Sequence, residues 1–185
     1  MNTLGEVCEF SKGKGIAKKD ISEDGETKCI RYGELYTHYN EVISDIISKT
    51  NIKVKKLVLS IANDVIIPAS GEDRFDIATA SCIMKSGIAI GGDLNIIRSK
   101  NNGIFLSYYL NSIKKLEIAN LAQGVSVVHL YSSQLKSLSV NLPSIPEQTK
   151  IANFLSKIDE KIANVNQQIE KTKEWKKGLL QQMFV

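Results

Sequence analysis

A heptad seam running almost to the last residue restricts most severely the ways in which this chain can fold. Alternating steps of four and three from Ile151 reach Leu155, Ile158, Ile162, Val165, Ile169, Thr172, Lys176, Leu179 and Met183. Eight of these ten positions are apolar, and the residues beside them are largely Lys, Glu, Gln and Asn. The pattern is that of a helix with a narrow apolar stripe, and such a stripe calls for a helical partner. At 1.5 Å per residue the stretch from Ile151 to Met183 is about 50 Å long, wider than a domain of this size, so much of the seam projects beyond its own globule. Ser144 and Glu147 stand at capping-box spacing and Pro146 suits a first helical turn, which places the start of the helix at residues 143–147. The organisation expected is a folded domain over residues 1–145 and a long helix over 146–185.

A chain of 185 residues accommodates one such domain and one appendage, but not two full domains. With 43% hydrophobic and 24% charged residues it has the composition of a globular protein rather than a disordered one. No apolar run is long enough to cross a bilayer, and MNTLGEVCEF lacks the basic flank and apolar core of a signal peptide, so a cytoplasmic protein without a membrane partner is expected. Cys8, Cys29 and Cys82 are odd in number and widely spaced, and read as free thiols rather than a disulfide framework or a zinc knuckle. The net charge of +4 matters less than its distribution. Residues 11–19 carry four lysines and no acid, and residues 20–26 carry four acids and no base. Such a run serves equally as a solvated loop.

The first hundred residues read as mostly β. LGEVCEF alternates as a first strand does, and KCIRYGELYTHYN reads as a strand or a strand pair broken at Gly33. VIIPAS reads as a buried strand after a turn at Asn63-Asp64, and two or three short strands follow around Gly87 and Gly91-Gly92. From Asn102 the period becomes helical for about 12 to 18 residues, with Gly124 as the stop. VSVVHL then reads as a strand, SSQLKSL as a serine-capped turn of helix, and SVNLP as a last strand ending at Pro143.

The tail carries Leu142, Pro143, Pro146, Glu147, Gln148, then Lys150, Ile151, Ala152, Phe154, Leu155, Ile158, Asp159, Ile162, and finally the run from Lys176 to Phe184. In these residues it resembles the end of one half of a type I restriction-modification specificity subunit. The body segments LGEVCEFSKGKGI, NDVIIPASG, GGDLNIIRS, FLSYYLNS and ANLAQGVSVVHLYSSQLKSLSVNLP resemble that family's target-recognition domain. The resemblance implies an α+β fold: a mixed α/β recognition domain that meets double-stranded DNA, followed by a long helix that packs in an antiparallel coiled coil. A full-length subunit has two domains and two helices, whereas this chain has one of each, as would a natural half-subunit that dimerises or an excised half of a longer protein. The implied partners are a second specificity half, the modification methyltransferase subunits and the restriction subunits. A two-fold pair would read a bipartite target with two half-sites held apart.

Within that resemblance, Lys12, Lys14, Lys18 and Lys19 on a glycine-loosened loop suit phosphate or guanine contact. Arg31, Tyr32, Tyr36 and His38 form a second cluster in which strand alternation would turn Arg31 or Tyr36 towards a groove. The tyrosines equally suit core or rim packing. Ser70 and Arg74 follow an apolar strand, and Arg74 has the fork that reads guanine. Gln123, Ser126 and His129 surround Gly124, with His129 favoured as a packed histidine. Thr172 and Lys176 interrupt the seam and would select register at a cost in stability. Phe154 and Trp175 lie beside it, as anchors for another subunit or as cover for the coil or the globule.

Catalytic patterns are weak. The chain has no G-x-x-x-x-G-K-[ST] and no N-P-P-Y type tetrapeptide, its two histidines are isolated, and Glu174-Trp175-Lys176 has nuclease-like spacing only within the projecting helix. A non-catalytic chain with no cofactor and no metal is expected. The competing expectation is an assembly module or decoy half-subunit that dimerises without productive DNA reading.

Overall fold

The computed structural model describes residues 2–184. In chain order the elements are β1 (Asn2–Thr3), α1 (Leu4–Val7), β2 (Glu9–Lys12), β3 (Thr27–Ile30), α2 (Glu34–Thr37), β4 (Val42–Ile43) and β5 (Ser48–Thr50). They continue with β6 (Val65–Pro68), β7 (Ser70–Gly71), β8 (Ser81–Ile83), β9 (Ala89–Ile90) and β10 (Leu94–Arg98). The chain closes with α3 (Gly103–Ser112), α4 (Lys115–Leu121), β11 (Val128–His129), α5 (Ser132–Lys136), β12 (Ser139–Val140) and α6 (Ile145–Met183). The fold is mixed α/β with a long C-terminal helix.

A five-stranded sheet of order β2-β10-β6-β8-β4 organises the body, antiparallel except for the β4–β8 pair. Both of its faces are covered, which is why VIIP reads as a continuous apolar run rather than an alternating one; LNIIR departs from such a run at Arg98 and at the buried Asn95, whose Nδ2 donates to Leu130 O at 2.9 Å. Val65, Ile67, Cys82 and Ile97 join one core with Leu106 and Leu110 of α3 and Ile118 of α4. Ile66, Ile83, Leu94 and Ile96 join the opposite core with Ile30, Leu35 and Ile90. Successive residues along a strand thus serve different cores.

Several local expectations need correction. LGEVCEF is not one strand: Leu4–Val7 forms a helical turn, because the Glu6 carboxylate accepts from Thr3 N at 2.6 Å and closes it. Residues 34–37 are helical for the same reason, with Glu34 accepting from Arg31 N at 3.1 Å, so strand alternation positions neither Tyr36 nor Arg31, which lies just past the end of β3. The long helix expected after Asn102 is two helices, broken where Lys114 N bonds Tyr109 O and the buried Lys114 ammonium pairs with Glu117 at 2.8 Å. Only Val128–His129 of VSVVHL is strand. The turn at Ser132–Lys136 is capped by Gln134 reaching Tyr131 N at 2.8 Å and not by serine.

The C-terminal helix spans 39 residues, about 58 Å at the usual rise. The capping box expected of Ser144 and Glu147 does not form, since Ser144 makes no side-chain cap bond. The buried Gln148 side chain instead ties the first turn to Asn101, Asn102 and Pro143. Past its first four turns the helix runs free of the body, and its seam is open: Ile158, Ile162, Val165 and Ile169 are 40–53% exposed. Phe154 and Trp175 are likewise exposed and cover neither globule nor seam in the single chain.

Cys8, Cys29 and Cys82 are buried and unpaired. Burial, and next the Glu34 charge, pushes the Cys29 thiol up to about 11, and burial with the Asp64 charge pushes Cys82 to about 12. A thiol near 9 in the unfolded chain ionises there first, so above that pH the unfolded state holds fewer protons than the folded one. Stability contributed by these groups is therefore complete below pH 9 and is lost as pH rises through 11 to 12. The unfolding free energy from urea titrations is expected to fall between pH 9 and 11, by up to about 1.4 kcal/mol per pH unit per thiol, and Cys82→Ala should flatten that fall.

Candidate nucleic-acid interface

The lysine loop is built by close backbone approach. Gly13 N donates to Leu94 O at 3.0 Å, Lys14 N to Ile90 O at 2.9 Å, and Gly92 N to Gly15 O at 2.9 Å. A Cβ on Gly13 would lie 1.9 Å from Gly91 O, so only glycine lets the loop lie on the β9–β10 turn. Gly15 and Ile16 both adopt left-handed backbone, with φ of 64°. For a β-branched residue this is strained, and burial of Ile16 against Cys29 and Ala89 holds it there. Lys12, Lys14, Lys18 and Lys19 are left exposed, the last two on a 3₁₀ turn closed by Asp20 accepting from Ala17 N at 2.8 Å.

Arg31 is aimed by a buried acid. Glu34, 4% exposed, accepts from Arg31 Nε at 3.2 Å as well as from Arg31 N, and from Ser48 Oγ at 2.7 Å. The guanidinium is thereby fixed at its root, while its terminal nitrogens have no acceptor among the described residues. Lys18, Arg31 and Tyr32 line one cleft of about 340 Å³ with Gly91, Gly92 and Asp93. Tyr36 lines the neighbouring hollow with Asp76, and burial, then the Tyr32, Asp76 and Glu72 charges, pushes its phenol up.

From the first cleft the backbone leads directly to the remaining candidates. Asp93 O accepts from Ala69 N at 2.8 Å, Ala69 O accepts from Leu130 N at 2.9 Å, and Ser70 pairs with His129 in the β7–β11 ladder. Gln123 and His129 exchange both backbone hydrogen bonds, at 2.9 and 2.7 Å, which closes a loop carrying the exposed Ser126. Arg74 is exposed in the segment after β7, its guanidinium 5.3 Å from the Phe75 ring centroid. Backbone contacts thus link the cleft of Lys18, Arg31 and Tyr32 to the ladder that carries Ser70 and His129 and to the loop that Gln123 closes. His38 stands apart, its ring bonded to Thr37 Oγ1 at 2.7 Å and lining neither hollow.

Two features escaped the sequence reading. His129 is not packed in the interior: it is exposed and stacks on the exposed Tyr131 at 6.1 Å. Lys53, Lys55 and Lys56 are exposed on a 3₁₀ segment whose flanking Ile52, Leu57 and Leu59 pack on the same Ile16 cluster that anchors the first loop. The seven lysines therefore share one end of the body. N-I-K-V-K-K carried that signal as alternating charge within an apolar frame.

A family model described as type I restriction modification DNA specificity domain matches residues 1–174. The MjaVIII type I restriction enzyme specificity subunit of Methanocaldococcus jannaschii is 26% identical over 185 residues, covering 98% of this chain and 40% of its own length. The type I restriction-modification S subunit from M. genitalium matches in structure with a TM-score of 0.64 at 21% identity, over 88% of this chain and 39% of its own. The HsdS subunit from Thermoanaerobacter tengcongensis matches with a TM-score of 0.60 at 16% identity, over 90% and 38%. At these identities the structural likeness is one of fold, and the chain spans about two fifths of the length of the relatives it matches. Body and root of the long helix fall together within the matched region, and on that ground the chain belongs to the type I restriction-modification DNA specificity domain family.

Proposed function

We propose that this chain is a sequence-specific DNA-binding unit of a cytoplasmic type I restriction-modification system. Residues 1–145 read one half-site, and residues 146–185 pair in antiparallel fashion with the helix of a second specificity half. The two opposed domains then hold a bipartite target, to which the complex directs adenine-methylating modification subunits and ATP-dependent restriction subunits. The chain itself supplies recognition, and the chemistry belongs to those partners. The observation that supports this reading is the cleft of Lys18, Arg31 and Tyr32, linked by backbone pairing to the ladder of Ser70 and His129, on the same body that bears an open heptad seam.

Selection from random duplexes by the purified chain, followed by gel shifts on the enriched sequences, tests it. Two enriched half-sites at fixed separation are the expected result. Dimers that bind all duplexes alike would instead favour an assembly module without productive reading.

The lysines carry a separate expectation. Each phosphate contact contributes about one unit to the slope of log affinity against log salt. Lys18→Ala with Lys19→Ala, and Lys55→Ala with Lys56→Ala, should each weaken binding evenly across sequences and lower that slope by about 1 to 2. A slope unchanged in both pairs would remove this end of the body from the DNA path.

A further inference from the structure

The root of the long helix is held at two separated points by polar groups that the core does not need. Gln148 is 1% exposed, and its amide is fully engaged. Its Oε1 accepts from Asn102 N at 2.9 Å, and its Nε2 donates to Asn101 Oδ1 and Pro143 O, both at 2.9 Å. Asn101 and Asn102 are themselves fixed to the sheet. Asn63 Nδ2 donates to Asn101 O at 2.9 Å, Asn63 Oδ1 accepts from Gly103 N at 2.7 Å, and Asn102 Oδ1 caps α3 by accepting from Phe105 N at 3.0 Å. Three turns further on, Tyr108 OH of α3 donates to Asp159 Oδ2, and between the two points the fully buried Ala152 lets the helices approach closely. Burial and the Asp159 contact push the Tyr108 phenol up to about 12, so it remains a donor.

Gln148 and Asp159 are eleven residues apart, about 16 Å along the rod. Two attachments at that separation fix a direction, which one alone does not. On a helical wheel Gln148, Ala152 and Asp159 occupy one side, and the seam residues Ile158, Ile162 and Val165 lie roughly 60 to 120° round from it. The body therefore grips the rod, half-burying Ile151 and Leu155 but leaving the seam open from Ile158 onward.

We propose that Gln148 and the Tyr108–Asp159 pair are positioning residues for spacing: they set the angle between recognition domain and rod, and thereby the separation of half-sites that the paired protein accepts. This rests on the bipartite reading above. A reading face about 30 Å from the root moves by about 3 Å for every 6° of rocking, and one base pair rises about 3.4 Å. A few degrees of play at the root is thus enough to blur the spacer by one base pair.

The test uses the full chain and duplexes carrying the two selected half-sites with spacers one base pair shorter and longer than the selected one. The parent is expected to prefer the selected spacer at least ten-fold. Tyr108→Phe, which deletes one hydroxyl, should reduce that preference to three-fold or less, with half-site preference and dimer mass unchanged. Gln148→Leu should do the same or more, and where it fails to fold Tyr108→Phe decides alone. A folded Tyr108→Phe dimer that keeps the full spacer preference overturns the inference, as does one that loses half-site preference in parallel. A parent that binds no bipartite duplex at all overturns instead the function proposed above, so the two failures are distinguishable.

Discussion

Ile162→Glu is expected to leave the chain monomeric at concentrations where the parent pairs. Ile162 sits near the start of the free part of the rod, 53% exposed in the single chain and beyond Asp159, the last residue that touches the body by a hydrogen bond. The fold of the body therefore does not depend on it. In an opposed pair of rods the side chain fills a hole between four residues of the partner, and a carboxylate there is desolvated without a counter-charge. A two-fold pair carries the defect twice. A loss of about 3 kcal/mol weakens association by more than 100-fold. Sedimentation equilibrium should report the parent as a dimer and the variant as a monomer, with equal helical content per chain. A variant that pairs as tightly as its parent would mean that copies meet through another surface, and the seam would lose its assigned role.

What could be read from the chain and what could not divides along physical lines. The buried strand Val65–Pro68 was legible because a sheet covered on both faces writes an unbroken apolar run, while Leu94–Arg98, interrupted by Asn95, was read only as one of the short strands around the Gly91-Gly92 turn. The long helix was legible because its seam repeats over many turns. Two of the one-turn helices were not, and the third, Ser132–Lys136, was read as a helical turn but with the wrong cap. Each is closed by a side-chain oxygen three residues downstream: Glu6 on Thr3 N, Glu34 on Arg31 N, Gln134 on Tyr131 N. In sequence such a residue looks the same as a solvated one. Distance hid the helix root, since Asn63, Asn101, Asn102 and Gln148 come together from segments with no local pattern linking them. In the candidate interface the lysine loop and Arg31 were found as clusters of charge. Lys53, Lys55 and Lys56 join them only because Leu57 and Leu59 pack on Ile16.

The turn that carries Asn63 also holds one ion pair, and the two ways of breaking the pair are expected to differ. Asp64 is 1% exposed. Its Oδ1 and Oδ2 accept from Arg98 Nε and Nη2, both at 2.7 Å, and Oδ2 also accepts from Ile61 N at 2.7 Å. The bidentate contact ties the end of β10 to the turn that opens β6, and it holds the Arg98 guanidinium in its charged form, raised first by the Asp64 hydrogen bond. The Arg98 side chain, by contrast, is 39% exposed. Arg98→Met strands a buried carboxylate with one backbone donor, and should cost about 3 to 5 kcal/mol. Asp64→Asn leaves an arginine that can turn to water and an amide that still accepts from Ile61 N, and should cost about 1 to 3 kcal/mol. Urea unfolding of the two variants in the same buffer checks the order, and equal losses would mean that Asp64 is reached by water. Since Asn63 in the same turn holds Asn101 and Gly103, the costlier variant should also loosen the hold on Gln148, visible as faster hydrogen exchange at Asn102 N than at amides of the far sheet edge.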